Sequence, residues 1–181
     1  MTPIIAVFGS SGIHPGEAAY EEGILVGRLL AEKGFAVSTG GYAGLMEAVS
    51  KGAAQAGGRV LGYSAPGVFP HRTGVNPWVT EEKTAETIAQ RIHLLVDEAD
   101  GFIALPGSIG TLAELMVAWN AAFVAPFADE APRPVVAVGE TWRNLIDGLI
   151  STLNTPSGLV ECVPSGEDAV AVVARAIPRS C

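Results

Sequence analysis

The chain has 181 residues, 49% of them apolar, and a formal net charge of −8. That length fits one domain with a sizeable core, and the acidic balance excludes nucleic acid as the main partner, because a polyanion needs a basic face. No apolar run is long enough to cross a bilayer, and the start, Met1-Thr2-Pro3-Ile4, has no basic segment and no signal-peptide core.

Cys162 and Cys181 are too few and too late for a disulfide framework, and they form no metal-spaced motif. The expectation is a soluble cytoplasmic protein with a single domain over residues 1–181 and no cofactor or metal.

In chain order, Ile4 to Phe8 is an apolar run closed by Gly9-Ser10-Ser11-Gly12, a strand and its loop. Helical spacing follows from about Gly16 to Lys33 (Ile24, Leu25, Leu29, Leu30), with Gly34 as its stop. Phe35 to Ser38 reads as a second strand. Thr39-Gly40-Gly41-Tyr42-Ala43-Gly44 leads into a helix through Leu45, Met46, Val49 and Ala53. Arg59 to Tyr63 is a third strand. Residues 64–80, punctuated by Pro66, Gly67, Pro70, Gly74 and Pro77, form a long irregular loop, the kind that often rims a functional site. A helix is expected from about Thr84 to Glu98, then a buried strand over Gly101 to Leu105. Pro106 and Gly107 stop that strand, and Gly110-Thr111 opens a helix with Leu112, Leu115, Met116 and Trp119 on one face. A polar loop from Pro126 to Pro134, a strand over Val135 to Val138, a helix over Thr141 to Leu153, a short segment from Leu159 to Val163 and a last helix over Glu167 to Ala176 complete the chain.

Strands alternating with helices predict an α/β architecture, a Rossmann-like parallel sheet with helices on both faces and right-handed crossovers. Ligands of such sheets bind beyond the carboxyl ends of the strands. Three glycine loops, at Gly9, Gly40 and Gly107, each follow a strand and so share that edge, which suggests close approach of backbone to a ligand. The helix after Gly107 begins with unpaired N–H groups and the positive end of its dipole, a seat for phosphate or another anion. Glu114 is placed in its first turn, where the dipole should keep the carboxylate ionised.

Several chemistries are excluded. A dinucleotide fold would have Gly-x-Gly-x-x-Gly in the first loop and an acidic residue after the second strand; the chain has Gly-Ser-Ser-Gly and Ser38-Thr39. No glycine loop carries the lysine of a P-loop, and Lys33, Lys51 and Lys83 lie in none of these loops, which removes a lysine-linked pyridoxal group. His14, His71 and His93 are scattered and pair with no cysteine, against zinc. No Gly-x-Ser-x-Gly elbow is present for a serine triad.

Gly9-Ser10-Ser11, Gly40-Gly41-Tyr42-Ala43-Gly44-Leu45-Met46 and Pro106-Gly107-Ser108-Ile109-Gly110-Thr111-Leu112-Ala113-Glu114, with Arg91 nine residues before Asp100, together resemble the Lonely Guy (LOG) family, a Rossmann-like group formerly labelled lysine decarboxylases. The resemblance covers Val7 to about Asn120. It implies a homodimer and hydrolysis of the N-glycosidic bond of nucleoside 5′-monophosphates, releasing base and ribose 5-phosphate; a related branch carries the molybdenum cofactor. The chain departs from the family pattern at Glu47, Ile92, Ser108 and Ala113, and the first two changes are nearer the carrier branch.

On this reading the amides of Gly107, Ser108, Gly110 and Thr111, with the Thr111 hydroxyl, hold a phosphate, and Ser10, Ser11, Gly40, Gly41 and Met46 complete the ligand site. Glu114 stabilises positive charge on the ribosyl carbon or positions the attacking water, as carboxylates do in glycoside hydrolysis. Arg91 contacts phosphate or sugar through its paired donors; the bland alternative is a solvated arginine beside Ile88, Ile92 and Leu95. Met46 packs on a base or in the core, and Glu47 binds a ribose hydroxyl or only favours its helix dipole. His71 and Arg72 close over the site or belong to a solvated loop. Met116 and Trp119 serve the core or a dimer interface. The second class of function is a non-catalytic nucleotide or molybdenum-cofactor carrier.

Overall fold

The computed structural model describes residues 2–72 and 74–177; Cys181 lies outside them. In order the elements are β1 (Ile4–Phe8), α1 (Ala18–Glu32), β2 (Ala36–Thr39), α2 (Leu45–Gln55), β3 (Val60–Ser64), β4 (Glu81–Thr84), α3 (Ile88–Asp97), β5 (Gly101–Ala104), α4 (Ile109–Val124), β6 (Val135–Val138), α5 (Glu140–Leu153), β7 (Glu161–Val163) and α6 (Gly166–Ala176). The seven strands form one sheet in the order β4-β3-β2-β1-β5-β6-β7, every pairing parallel. The expected α/β Rossmann-like architecture is the observed one.

Strand alternation divides the core. Ile5, Val7, Val37, Ile103 and Val136 pack with α1, α2 and α6 on one face. Ala6, Phe8, Leu61, Phe102 and Val135 pack with α3, α4 and α5 on the other. Because every inner strand is covered on both sides, it reads as an unbroken apolar run. The chain winds from β1 outward through β2, β3 and β4, then returns to β5 beside β1 and winds the other way. The reversal puts a crevice beyond the ends of β1 and β5, where the Gly9 and Gly107 loops emerge.

Two elements differ from expectation. β4 replaces what the sequence suggested was the approach to a helix starting near Thr84. Its residues Glu81, Glu82, Lys83 and Thr84 are mostly exposed and lack apolar alternation, because an edge strand is shielded by charge rather than buried. The helix begins later, at Ile88, where the Thr87 side chain accepts the Gln90 N–H at 3.1 Å and caps it.

The second is α4. With the 3-10 turn Ala125–Ala128 it makes a helical stretch of 20 residues and mean hydropathy 1.3, long and apolar enough to cross a membrane by length and composition. Breaking the segment at Pro126 hides this in the sequence. One face of α4 nevertheless packs on β1, β5 and β6, so the helix is a layer on this sheet.

Candidate functional site

At the β5–α4 corner, Pro106, Gly107, Ser108, Ile109 and Gly110 are all exposed, so none of the described residues plugs it. The Leu112 N–H makes the first helical bond, to the Ser108 carbonyl at 2.9 Å, so the amides of Ser108 to Thr111 precede the ladder. Ser108 occupies the N-cap position but its side chain caps nothing. Gly107 is required by crowding: a Cβ there would overlap the side chain of Thr111, which is itself buried. Gly110 is different, since a Cβ there would meet open space.

Glu114 lies beneath this corner. It sits in the second turn of α4, not the first, and on the buried face with Thr111, Leu115, Ala118 and Trp119. The stripe expected from Leu112, Leu115, Met116 and Trp119 is thus rotated, and Leu112 and Met116 are only partly buried. Glu114 Oε1 accepts from Arg91 Nη1 at 3.3 Å, and both side chains are almost wholly enclosed. The dipole expectation fails for a physical reason. Burial pushes the carboxyl up to about 7, and the single cation beside it offsets that only in part. Glu114 therefore titrates near neutrality instead of staying ionised throughout.

Arg91 is neither solvated nor loose. Its Nε donates to the Tyr63 carbonyl at 2.6 Å and its Nη2 to the Gly40 carbonyl at 3.0 Å, with Met46 Sδ at 3.9 Å. Burial lowers its pKa from the ordinary arginine value and the Glu114 charge works against that fall; a guanidinium remains charged all the same. The end of β3, the loop after β2, α3 and α4 thus converge on one guanidinium.

The glycines of the second loop are explained by this packing. A Cβ at Gly40 would overlap Arg91 Nη2, and one at Gly44, whose φ is +74°, would overlap the Ser10 carbonyl. Leu45 N–H in turn donates to the Ser10 carbonyl at 2.8 Å, and Ser10 N–H to the Pro106 carbonyl at 3.1 Å. The three loops interlock through their backbones, and that packing by itself already calls for glycine at Gly40 and Gly44. Ser10 Oγ accepts the Gly12 N–H at 3.1 Å as a local turn, whereas Ser11 is exposed. Met46 is buried against Arg91 and lies in the core.

Sequence reasoning missed Asn76, Tyr42, Thr39 and Ser50. Asn76 Nδ2 donates to the Gly41 and Tyr42 carbonyls at 3.0 and 3.1 Å and ties the 65–80 loop to the glycine loop. Thr39 Oγ1 accepts the Gly41 N–H at 3.1 Å and lies 3.3 Å from Ser50 Oγ. The only signal for Asn76 was its place between glycine and proline in a long loop. Between this loop and α2 opens a cleft of about 450 Å³, walled by Ser11, Tyr42, Glu47, His71, Arg72 and Asn76. Neither Glu114 nor Gly107 lines it. This cleft lies beside the Arg91–Glu114 pair, with the Tyr42 ring between: the Arg91 guanidinium carbon is 5.5 Å from that ring's centre. Among the described residues, no group of three or more His, Cys, Asp or Glu side chains gathers that could hold a metal ion.

A parallel sheet covered by helices on both faces, with an open helix terminus at its switch point and a buried carboxylate behind it, defines a Rossmann-like α/β protein. The chain belongs to the SLOG cluster4 family, whose profile matches residues 2–125. A cytokinin riboside 5′-monophosphate phosphoribohydrolase of Mycobacterium tuberculosis is 32% identical over 130 residues, 71% of this chain and 66% of that protein. A probable enzyme of the same name from Oryza sativa subsp. japonica is 38% identical over 108 residues, 58% of this chain and 44% of that one. The chain thus spans about half to two thirds of the length of these curated relatives. In three dimensions it is similar to the molybdenum cofactor binding protein of Rippkaea orientalis, with a TM-score of 0.77 at 24% identity over 98% of this chain and 99% of the other, a likeness of fold.

Proposed function

We propose that the protein is a nucleoside 5′-monophosphate phosphoribohydrolase. The observation that carries this reading is the Arg91–Glu114 pair, enclosed directly behind the uncapped amides of α4. Glu114 is five residues along the helix from Ile109, roughly 7.5 Å of rise, and helical side chains lean back toward the N-terminus. A 5′-phosphate held by the amides of Gly107 to Thr111 therefore sets the ribose over the carboxylate. Water oxygen bonds to C1′ as the C1′–N bond breaks, the bond's electron pair leaves with the base, and the base takes up the proton the water releases. The Glu114 carboxylate stabilises the positive charge on the ribosyl carbon. Arg91 holds Glu114 in place and faces the sugar. Names among the relatives support this chemistry.

The cellular setting proposed with it is cytoplasmic and homodimeric. A second copy is seated on the outer face of α4, where Ile109, Val117, Phe123 and Val124 are exposed. The test is incubation of the protein with AMP and related monophosphates, assayed for free base and ribose 5-phosphate. Release that Glu114→Gln abolishes supports the enzyme. Tight binding without release would overturn it in favour of a carrier.

A further inference from the structure

The cleft beside Tyr42 takes no part in the bond cleavage just described, yet its wall holds an unusual arginine. The Arg72 guanidinium carbon lies 4.6 Å from the Tyr42 ring centre and 4.4 Å from that of Phe69. Those rings meet edge to face, 5.6 Å apart at 77°. Contact with two rings fixes the guanidinium and leaves its N–H edge for a partner.

The protein supplies almost none. Arg28, Arg59, Arg91, Arg143 and Arg175 each have a carboxylate within 4.0 Å, and Arg133 donates to the carbonyls of Val96 and Ala99 at 2.7 and 2.8 Å. Among the described residues Arg72 alone of the arginines has neither; its hydrogen-bond partner is Ser11 Oγ at 3.5 Å. In a chain of net charge −8, a cation held in place at a cleft and left without a carboxylate is arranged for an anion from outside.

Its position says which part of a ligand would reach it. The Tyr42 ring that carries Arg72 is the one beside Arg91, and Ser11 follows Ser10, which is bonded to Pro106 at the α4 corner. A nucleotide with its phosphate at α4 and its ribosyl carbon at Glu114 would direct its base across Ser10-Ser11 toward this cleft. We propose that the cleft seats the base and that Arg72 selects a base bearing a carboxylate. The inference rests on the phosphoribohydrolase reading and adds the class of substrate. Glu47, in the same cleft and unpaired with Arg72, accepts a base N–H or a ribose hydroxyl and repels an anion that falls short of the guanidinium.

The test uses the full chain and a matched pair of probes, nicotinate mononucleotide and nicotinamide mononucleotide, which differ only in carboxylate against carboxamide. Dissociation constants are measured by calorimetry for both. The wild type is expected to favour the carboxylate on the order of tenfold or more, the scale of one charge-assisted hydrogen bond. R72Q brings the ratio near one, and R72K, which keeps a charge without the planar fork, falls between. Equal affinities in the wild type, or a preference that survives R72Q, overturns the proposal. If AMP is cleaved while the two probes bind alike, only this inference fails; if no monophosphate binds at all, the phosphoribohydrolase reading falls and takes this one with it.

Discussion

The β2–α2 and β5–α4 corners are built from the same parts, a short apolar strand, a glycine turn and a helix, and they end in opposite states. At the first, Gly40, Gly41 and Gly44 are buried, and main-chain, hydroxyl and guanidinium groups occupy the space around them. At the second, Pro106 to Gly110 stand in solvent with amides uncapped. One glycine loop serves the protein's own interior and the other leaves its donors for something else. A glycine-rich turn after a strand is therefore not by itself a binding signal; what surrounds its amides decides.

That contrast can be broken hardest at Arg91. Arg91→Ala leaves Glu114 enclosed without a cation and strips the Gly40 and Tyr63 carbonyls of their donor. It is expected to cost about 3–5 kcal/mol in urea unfolding and to remove any hydrolysis; a cost under ~1 kcal/mol would mean the closed corner stands without it. Gly40→Ala comes next. Its methyl would overlap Arg91 Nη2 and Met46 Sδ, so a loss of about 1–3 kcal/mol and a fall in turnover are expected, read by thermal unfolding and base release. Glu114 supplies a pH test. Its folded pKa of about 7 lies above the ordinary 4.5, so the neutral form's contribution is complete below 4.5 and is lost as pH rises through 7. Stability of the wild type relative to Glu114→Gln should therefore drop between pH 4.5 and about 7 and level off above, while activity that needs the carboxylate should climb around pH 7; parallel stability curves for the two proteins would refute it. The smallest effect belongs to Gly110→Ala. With open space around the added methyl, folding stability is expected to change by no more than about 1 kcal/mol, in the favourable direction. Any larger change in ligand affinity would then report contact with the ligand itself.

The inner strands were legible because sheets covered on both faces leave continuous apolar runs, as in Ile4 to Phe8 and Val135 to Val138. β4 was not, since its charge protects an edge. The open amides after Gly107 could be read from the turn and the helix that follows. The burial of Glu114 could not. α4 is apolar nearly all round, so no polar face marks which side is inward, and Leu112 and Met116 compete with Thr111 and Glu114 for the inner stripe. For Arg91 the sequence offered a contact to phosphate or sugar, with a solvated arginine beside Ile88 and Ile92 as the alternative; the carbonyls of Gly40 and Tyr63, brought to it from distant segments, could not be read from it. Asn76 and Tyr42 act through a loop without periodicity, where sequence offers no face to count.

The place of β1 has a consequence for how the molecule is made. β1 precedes the other six strands in this sequence and lies at the centre of the sheet, where Ile5 pairs with Val37 on one flank and with Gly101 on the other. The second pairing joins residues 96 apart in the chain, across β2, β3 and β4, and without it β1 is a half-sheet's bare apolar edge. Pairings so distant in sequence are slow to form, and the crevice between β1 and β5 comes into being only when they do. Ligand added during refolding should consequently act late, on a chain whose first four strands have already met.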